Sequence, residues 1–176
     1  HPVDRRQRQM CIRDRVRGPE AATLLTAMNT GHDGSFGSLH ANTAQETVTR
    51  MINPPMSVPP IMLTGLDLII IQARLHVNGK TARKITEVAE IAGMEGSKPR
   101  LNTIWKYNAS TDQIEETGIP SNLREVICRA AGVTPDVFEK HVNQRQQIIE
   151  DLIARDITDI QSVTTVIQNF YAQSHH

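Results

Sequence analysis

Asn29-Thr30-Gly31-His32-Asp33-Gly34-Ser35-Phe36-Gly37-Ser38-Leu39-His40-Ala41-Asn42 is the most unusual stretch of the chain. From Gly31 onward it gathers two histidines, one aspartate, two serines and three glycines. Glycines let a backbone approach a phosphate closely, and successive loop N–H groups form an anion nest. A histidine can donate a hydrogen bond to a phosphate oxygen or titrate near neutrality. The same composition also suits a plain connecting loop with solvated histidines, and the residue types alone leave both readings open. His32, Asp33 and His40 are metal-ligating types as well, but their spacing matches no zinc template.

Working outward, Pro19 to Met28 reads as a short helix. Pro19 lies at its first turn, Glu20 favours the positive end of the dipole, and Ala21, Leu24, Leu25 and Met28 form an apolar stripe. Ser35 to Ala41 is expected to form a short strand. Thr43 with Glu46 is a capping box that opens a helix with Val48, Met51 and Ile52 on its inner face, and Asn53-Pro54-Pro55 stops it. Pro59-Pro60 starts a further short helix. The period then changes. Leu66 to Leu75 reads as a buried strand, Asn78-Gly79 as a hairpin turn and Thr81 to Ile91 as the return strand. Gly93 to Pro99 reads as a polar loop. Leu101 to Tyr107 and Gln113 to Glu116 read as a second hairpin.

From Ser121 on the chain reads as helical. Ser121 caps a helix through Ala131, with Gly132 as its stop. Thr134-Pro135 caps a longer helix with Val137, Phe138, His141, Ile148, Ile149 and Leu152 inward. Asp159 caps a last helix packing Ile160, Val163, Val166, Ile167 and Phe170. Ile148, Ile149, Leu152 and Ile153 read as core; exposure would turn the reading towards docking.

Charge and composition exclude several classes. The 19 Lys+Arg balance 19 Asp+Glu, so the chain is no polycation built to coat nucleic acid. The balance is uneven: residues 1–17 hold six arginines and two aspartates, net +4, and the remainder carries 13 basic and 17 acidic residues, net −4. Aromatic side chains make up only 3%, too few for a base-stacking platform. Cys11 and Cys128 make no disulfide framework and suit a reducing compartment. Ile61 to Ile71, the longest apolar stretch, is interrupted by Thr64, Gly65 and Asp67 and is far short of the roughly 20 residues that span a bilayer. No signal peptide is expected, because the Arg-rich start has no apolar run after it.

The Asn29–Ser35 segment followed by Leu39-His40-Ala41-Asn42 resembles the histidine box of the type II/type IV secretion ATPase superfamily. Val16-Arg17-Gly18-Pro19-Glu20-Ala21 resembles the segment that follows the Walker B acid there. Pro54-Pro55, Leu66-Asp67, Gln72-Ala73-Arg74 and Arg83-Lys84-Ile85-Thr86-Glu87-Val88 also fit, and the tail from Arg145 to Tyr171 is similar to the archaeal branch, which includes the archaellum motor ATPase.

The resemblance implies an α/β fold: the C-terminal half of a RecA-like P-loop ATPase domain, made of strands and hairpins with helices, followed by a three-helix tail. Residues 16–118 would be the ATPase part and 119–173 the tail. Residues 1–15 would be an unrelated or disordered basic segment and 174–176 a disordered end. The implied parent is a cytoplasmic homo-hexamer, peripheral at the inner face of the membrane. It would engage a membrane platform protein, bind no nucleic acid, and use ATP and Mg²⁺ to power pilus or archaellum assembly or secretion.

The resemblance further implies that His40 lies near the γ-phosphate or subunit interface and that His32 and Asp33 shape its loop. Arg17, Gly31, Gly34, Ser35, Arg50, Arg74 and Arg83 would face nucleotide or a neighbouring subunit. A cation near a transferring phosphoryl group stabilises the charge spread over its oxygens.

No G-x-x-x-x-G-K-[ST] motif is present. Gly79-Lys80-Thr81 imitates its end, but Arg74 stands at the first glycine and the segment reads as a hairpin. At the Gly-Glu of the Walker B pattern stand Asp14 and Arg15. The 176-residue chain alone is therefore expected to be inactive. The competing expectations are a non-catalytic interaction module and, less well supported, a metal hydrolase.

Overall fold

A computed structural model describes residues 16–31, 34–77 and 79–173. Helix α1 (Glu20–Asn29) starts where expected. Glu20 turns back on its own helix start, its Oε1 accepting the N–H groups of Arg17 at 2.7 Å and Gly18 at 2.9 Å. These donors, Arg17's foremost, hold the Glu20 carboxyl below its usual range.

Helix α2 (Ala44–Ile52) is capped as its sequence predicts: Thr43 Oγ1 accepts the Glu46 N–H at 3.0 Å. The glutamate reaches one residue further back than a standard box and takes the Asn42 N–H at 2.8 Å. A 3₁₀ helix (Pro60–Gly65) follows. Asn29 joins it to α1, donating to the Leu25 carbonyl at 2.9 Å and the Met62 carbonyl at 3.0 Å.

The strands form one antiparallel meander in the order β1 (Leu68–Val77), β2 (Lys80–Glu95), β3 (Lys98–Asn108) and β4 (Gln113–Glu116). Val77 pairs with Lys80, so β1 and β2 are joined by the two residues between them. The register shifts between Ile71 and Gln72 on β1, and between Val88 and Ala89 and between Ile91 and Met94 on the β2–β3 side.

Three expectations change here. Ser35–Ala41 is no strand; Ser38 makes a single bridge, its carbonyl accepting the Val16 N–H at 2.8 Å. Leu66–Leu75 is not buried throughout. The strand begins at Leu68 and alternates, with Ile69 and Ile71 inward and Leu68 and Ile70 outward, because an antiparallel sheet needs only one covered face. Gly93–Pro99 is not a loop: β2 continues to Glu95 and β3 resumes at Lys98, leaving Gly96-Ser97 as the turn.

Helices α1 and α2, the 3₁₀ helix and the inward side of the sheet share one core. Leu25, Leu63, Ala21 and Ala44 expose nothing, and Val48, Ile69, Ile71 and Ala89 close around them. Burying a leucine of this kind contributes about 2 kcal/mol.

The chain divides into two compact units between Leu123 and Arg124, just inside α3 (Asn122–Ala131). The second unit continues with α4 (Pro135–Ala154) and α5 (Ile160–Gln173). Arg124 pairs with Glu139 at 2.5 Å and lies over the Phe138 ring, while Arg145 lies over the rings of Phe170 and Tyr171. Asp159 accepts the Ser162 N–H at 2.8 Å, the cap expected for α5.

The expected inner faces of this unit hold in part: Phe138, Ile148, Val163, Val166 and Phe170 are half-buried. Val137, His141, Ile149, Ile160 and Ile167 are exposed, and of the α4 set only Leu152 is fully buried. Thr134 precedes α4 in extended geometry, but its hydroxyl makes no cap bond and only its carbonyl takes part. Among the described residues no helix is long and apolar enough to cross a membrane.

Candidate functional site

The histidine segment leaves α1 at Thr30 and enters α2 at Thr43. Gly31 and Gly34 have φ of +86° and +77°, left-handed values that glycine adopts without strain. His32 and Asp33, between them, lie outside the described residues. Ser35 is half-buried.

Gly37 is held for a different reason. A Cβ there would meet Leu24 Cδ2 at 2.7 Å and Val16 Cγ2 at 3.4 Å. The backbone presses onto α1 and the chain before it, and the Val16–Ser38 hydrogen bond follows directly. This brings Arg17 and His40, each one or two residues beyond the bridge, to the same part of the fold. His40 is exposed, and so is Arg17.

Beneath the segment lies a cleft of about 120 Å³ lined by Val16, Leu24, Met28, Leu39, Ile69 and Ile71 among others. It offers no charge to an anion. A phosphate would therefore meet this segment on its solvent side, where His40 and the glycine backbone lie.

The other arginines take separate positions. Arg50 is exposed on α2 and ion-paired with Glu46, its Nη2 2.6 Å from Oε1 and its Nε donating at 2.7 Å. The Asn42 N–H, then the Arg50 side chain, hold the Glu46 carboxyl below its usual range. Arg74 and Arg83 face each other across β1 and β2, both exposed. Like charges directly opposite repel, so this pair is a local cost that an anion would relieve. Arg83 stands four residues before Glu87 on β2, roughly 13 Å at the usual strand rise. The hairpin pair is thus displaced along the sheet from the row that holds the start of α2. Gly79-Lys80-Thr81 joins strand to strand, so it has no helix N-terminus to aim at a phosphate.

Two carboxylates matter more than their place in the sequence suggested. Half-buried Glu87 on β2 accepts the Ala44 N–H at 2.8 Å and the Thr103 hydroxyl at 3.1 Å. Glu90, only 3% exposed, accepts the Ser121 hydroxyl and the Asn122 N–H, the latter at 2.8 Å. Acids interspersed with Val88, Ala89 and Ile91 along the strand were the available signal. Their partners, 43 and 32 residues away in sequence, were not.

An α/β fold with a histidine- and glycine-rich turn between two helices defines a class, and the relatives narrow it. The chain belongs to the Type II/IV secretion system protein family, matching it over residues 6–168. It is 36% identical over 152 residues to an uncharacterized protein of Methanocaldococcus jannaschii, covering 84% of this chain and 21% of that protein. A second uncharacterized protein of that organism is 29% identical over 89% of this chain and 29% of its own length. A Mycobacterium tuberculosis protein named "Putative conjugal transfer protein" is 34% identical over 51% of this chain and 26% of its own length. The chain thus spans under a third of each of these curated relatives.

Proposed function

We propose that this chain is the C-terminal part of a RecA-like ATPase domain, within a hexameric motor that hydrolyses ATP to drive pilus or archaellum assembly or secretion. The observation that carries this reading is the histidine segment. His40 and Arg17 flank the Val16–Ser38 hydrogen bond that ties the segment down, above an apolar floor and ahead of a doubly held helix start. Membership of the secretion-system family supports it.

In this reading His40 faces the γ-phosphate side of a bound nucleotide or a neighbouring subunit, with the loop of Gly31, His32, Asp33, Gly34 and Ser35 shaped around it. Arg17, Arg50, Arg74 and Arg83 face nucleotide or the next subunit. The described residues do not by themselves fit ATP and Mg²⁺. They contain no phosphate loop with its Lys and Ser/Thr, and the arginine pair is displaced from His40's segment. In the assembled motor these residues would bind and orient the phosphate and stabilise its charge. A cytoplasmic place at the membrane's inner face and a membrane platform protein as partner belong to the same proposal.

The test has two arms. The isolated 176-residue chain is expected to show no magnesium-dependent ATP turnover above a His40→Ala control, and turnover there would overturn the inactive-fragment reading. A full-length protein containing the chain is expected to turn over ATP and to lose most of its kcat in His40→Ala.

The helical unit supports a second reading, that of a docking module for a platform protein or neighbouring subunits. Ile149 and Ile153 are 57% and 73% exposed, and Ile160 and Ile167 of the same unit are exposed too, the exposure that turns the reading towards docking. A pulldown against the platform protein that is unaffected by Ile149→Asp/Ile153→Asp would remove it.

A further inference from the structure

We infer that Glu87 is a positioning residue for the His40 segment, acting through the first turn of α2. This deepens the proposed function and rests on its reading of His40.

Ala44 is the first residue of α2 and exposes none of its surface. Its N–H is one of the donors that a helix start leaves without an intrahelical partner. The helix already has a local cap, because Thr43 takes the Glu46 N–H and Glu46 takes that of Asn42. That local cap serves the Glu46 and Asn42 N–H groups and leaves the buried Ala44 N–H still in need of an acceptor. Glu87 supplies one from the sheet, and its other oxygen is held by Thr103 of β3. A half-buried carboxylate loses hydration, and these two bonds offset that loss. Two strands thereby set where α2 begins.

His40 lies four residues before Ala44. A chain that short reaches at most about 14 Å and absorbs little displacement. A shift of the helix start is passed on to the histidine. A misplacement of about 1 Å at a reacting group can cost up to ~100-fold in rate.

Glu90 provides an internal control. It lies on the same strand and also holds a helix start, that of α3, through Asn122 and Ser121. Strand residues three apart point to opposite faces, so it bears on a different element.

The experiment compares ATP turnover, melting temperature and amide exchange over residues 40–46 in the full-length protein. Glu87→Ala is expected to lower kcat ~10-fold at unchanged KM and to speed exchange over residues 40–46 by a similar factor. Glu87→Gln keeps an acceptor for the Ala44 N–H and should retain at least about a third of kcat. Glu90→Gln should leave kcat unchanged. If Glu87→Ala does not fold, Thr103→Val carries the test. It frees one carboxylate oxygen and should lower kcat ~3-fold at unchanged KM, with only a small fall in melting temperature.

Wild-type kcat in folded Glu87→Ala, or in Thr103→Val where the alanine variant does not fold, overturns the inference. So does an equal loss in Glu90→Gln. Loss of turnover in His40→Ala with wild-type turnover in Glu87→Ala would sink the inference and leave the proposed function standing. Wild-type turnover in His40→Ala would sink both.

Discussion

Leu25 and Leu63, in the first unit, expose none of their surface, whereas Ile149 and Ile153, in the helical unit, expose 57% and 73%. All four are large aliphatic residues on helical segments. The first unit sets α1, α2 and a 3₁₀ helix against one side of a sheet, so apolar side chains from several directions close on each other. Among the described residues from Arg124 on, only Cys128 and Leu152 are buried, and specific ties recur instead: Arg124 to Glu139 and Phe138, Arg145 to Phe170 and Tyr171. The lesson is that a helix can form on local signals without acquiring a core. One unit is held by a fully closed apolar cluster; the other by half-buried side chains such as Phe138, Ile148, Val163 and Phe170 and by a few polar and ring contacts that exposure keeps weak.

The largest effect should separate the two leucine-type sites. Leu25→Ala is expected to cost about 3 kcal/mol in urea unfolding, through lost burial and the cavity left behind. Ile153→Ala should stay within about 0.5 kcal/mol, as surface substitutions do. A cost above about 1.5 kcal/mol at Ile153 would break the contrast.

A smaller difference is expected at the helix starts. Thr43 makes a side-chain cap and Thr134 does not. Thr43→Ala should cost about 1 kcal/mol. Thr134→Ala should cost no more than a few tenths. Equal costs would show that the extended threonine before Pro135 acts through something other than its hydroxyl.

The smallest effect concerns acid stability, with one aspartate in each unit. Asp112 accepts from Lys84 Nζ and from the Tyr107 hydroxyl, each at 2.6 Å. Those two donors, lysine first, hold its carboxyl below the ordinary 3.8. Asp159 is lowered too, foremost by the Ser162 N–H. A carboxyl lowered on folding stabilises above its ordinary value, and the contribution disappears as pH falls through the lowered one. Urea midpoints measured from about pH 6 down to about pH 2.5 should therefore decline less in Asp112→Asn and Asp159→Asn than in the parent chain. An unchanged acid slope in either variant would remove that aspartate from the account. Asp112, by accepting the Tyr107 hydroxyl, raises that phenol above its ordinary value, and that effect lies far above this pH range.

Legibility in sequence followed distance along the chain. The Thr43–Glu46 cap, the Asp159 cap, the Pro54-Pro55 stop and both hairpins were legible because their causes lie within a few residues. Ser35–Ala41 misled because its alternation is not matched by a strand alongside it among the described residues, where Ser38 meets Val16. Gly93–Pro99 misled because glycine and charge are as compatible with a long ribbon's tip as with a loop. Of the candidate site, the histidine segment stood out by composition. Its anchoring by Gly37 on Leu24 and by Glu87 on Ala44 did not, since neither contact has a local signature. The placing of Arg74 opposite Arg83 required the register, which the bulge between Ile71 and Gln72 shifts.

By itself the sequence determined the helix starts and stops, the hairpin order, the absence of a phosphate loop from these 176 residues and the family to which they belong. Those depend on residue types at short spacing, where backbone geometry and capping chemistry act directly. Only the tertiary structure decided which apolar faces are buried and which carboxylate holds which helix. Burial and long-range hydrogen bonds depend on what the fold brings alongside, and for Glu87 that is a backbone N–H 43 residues away.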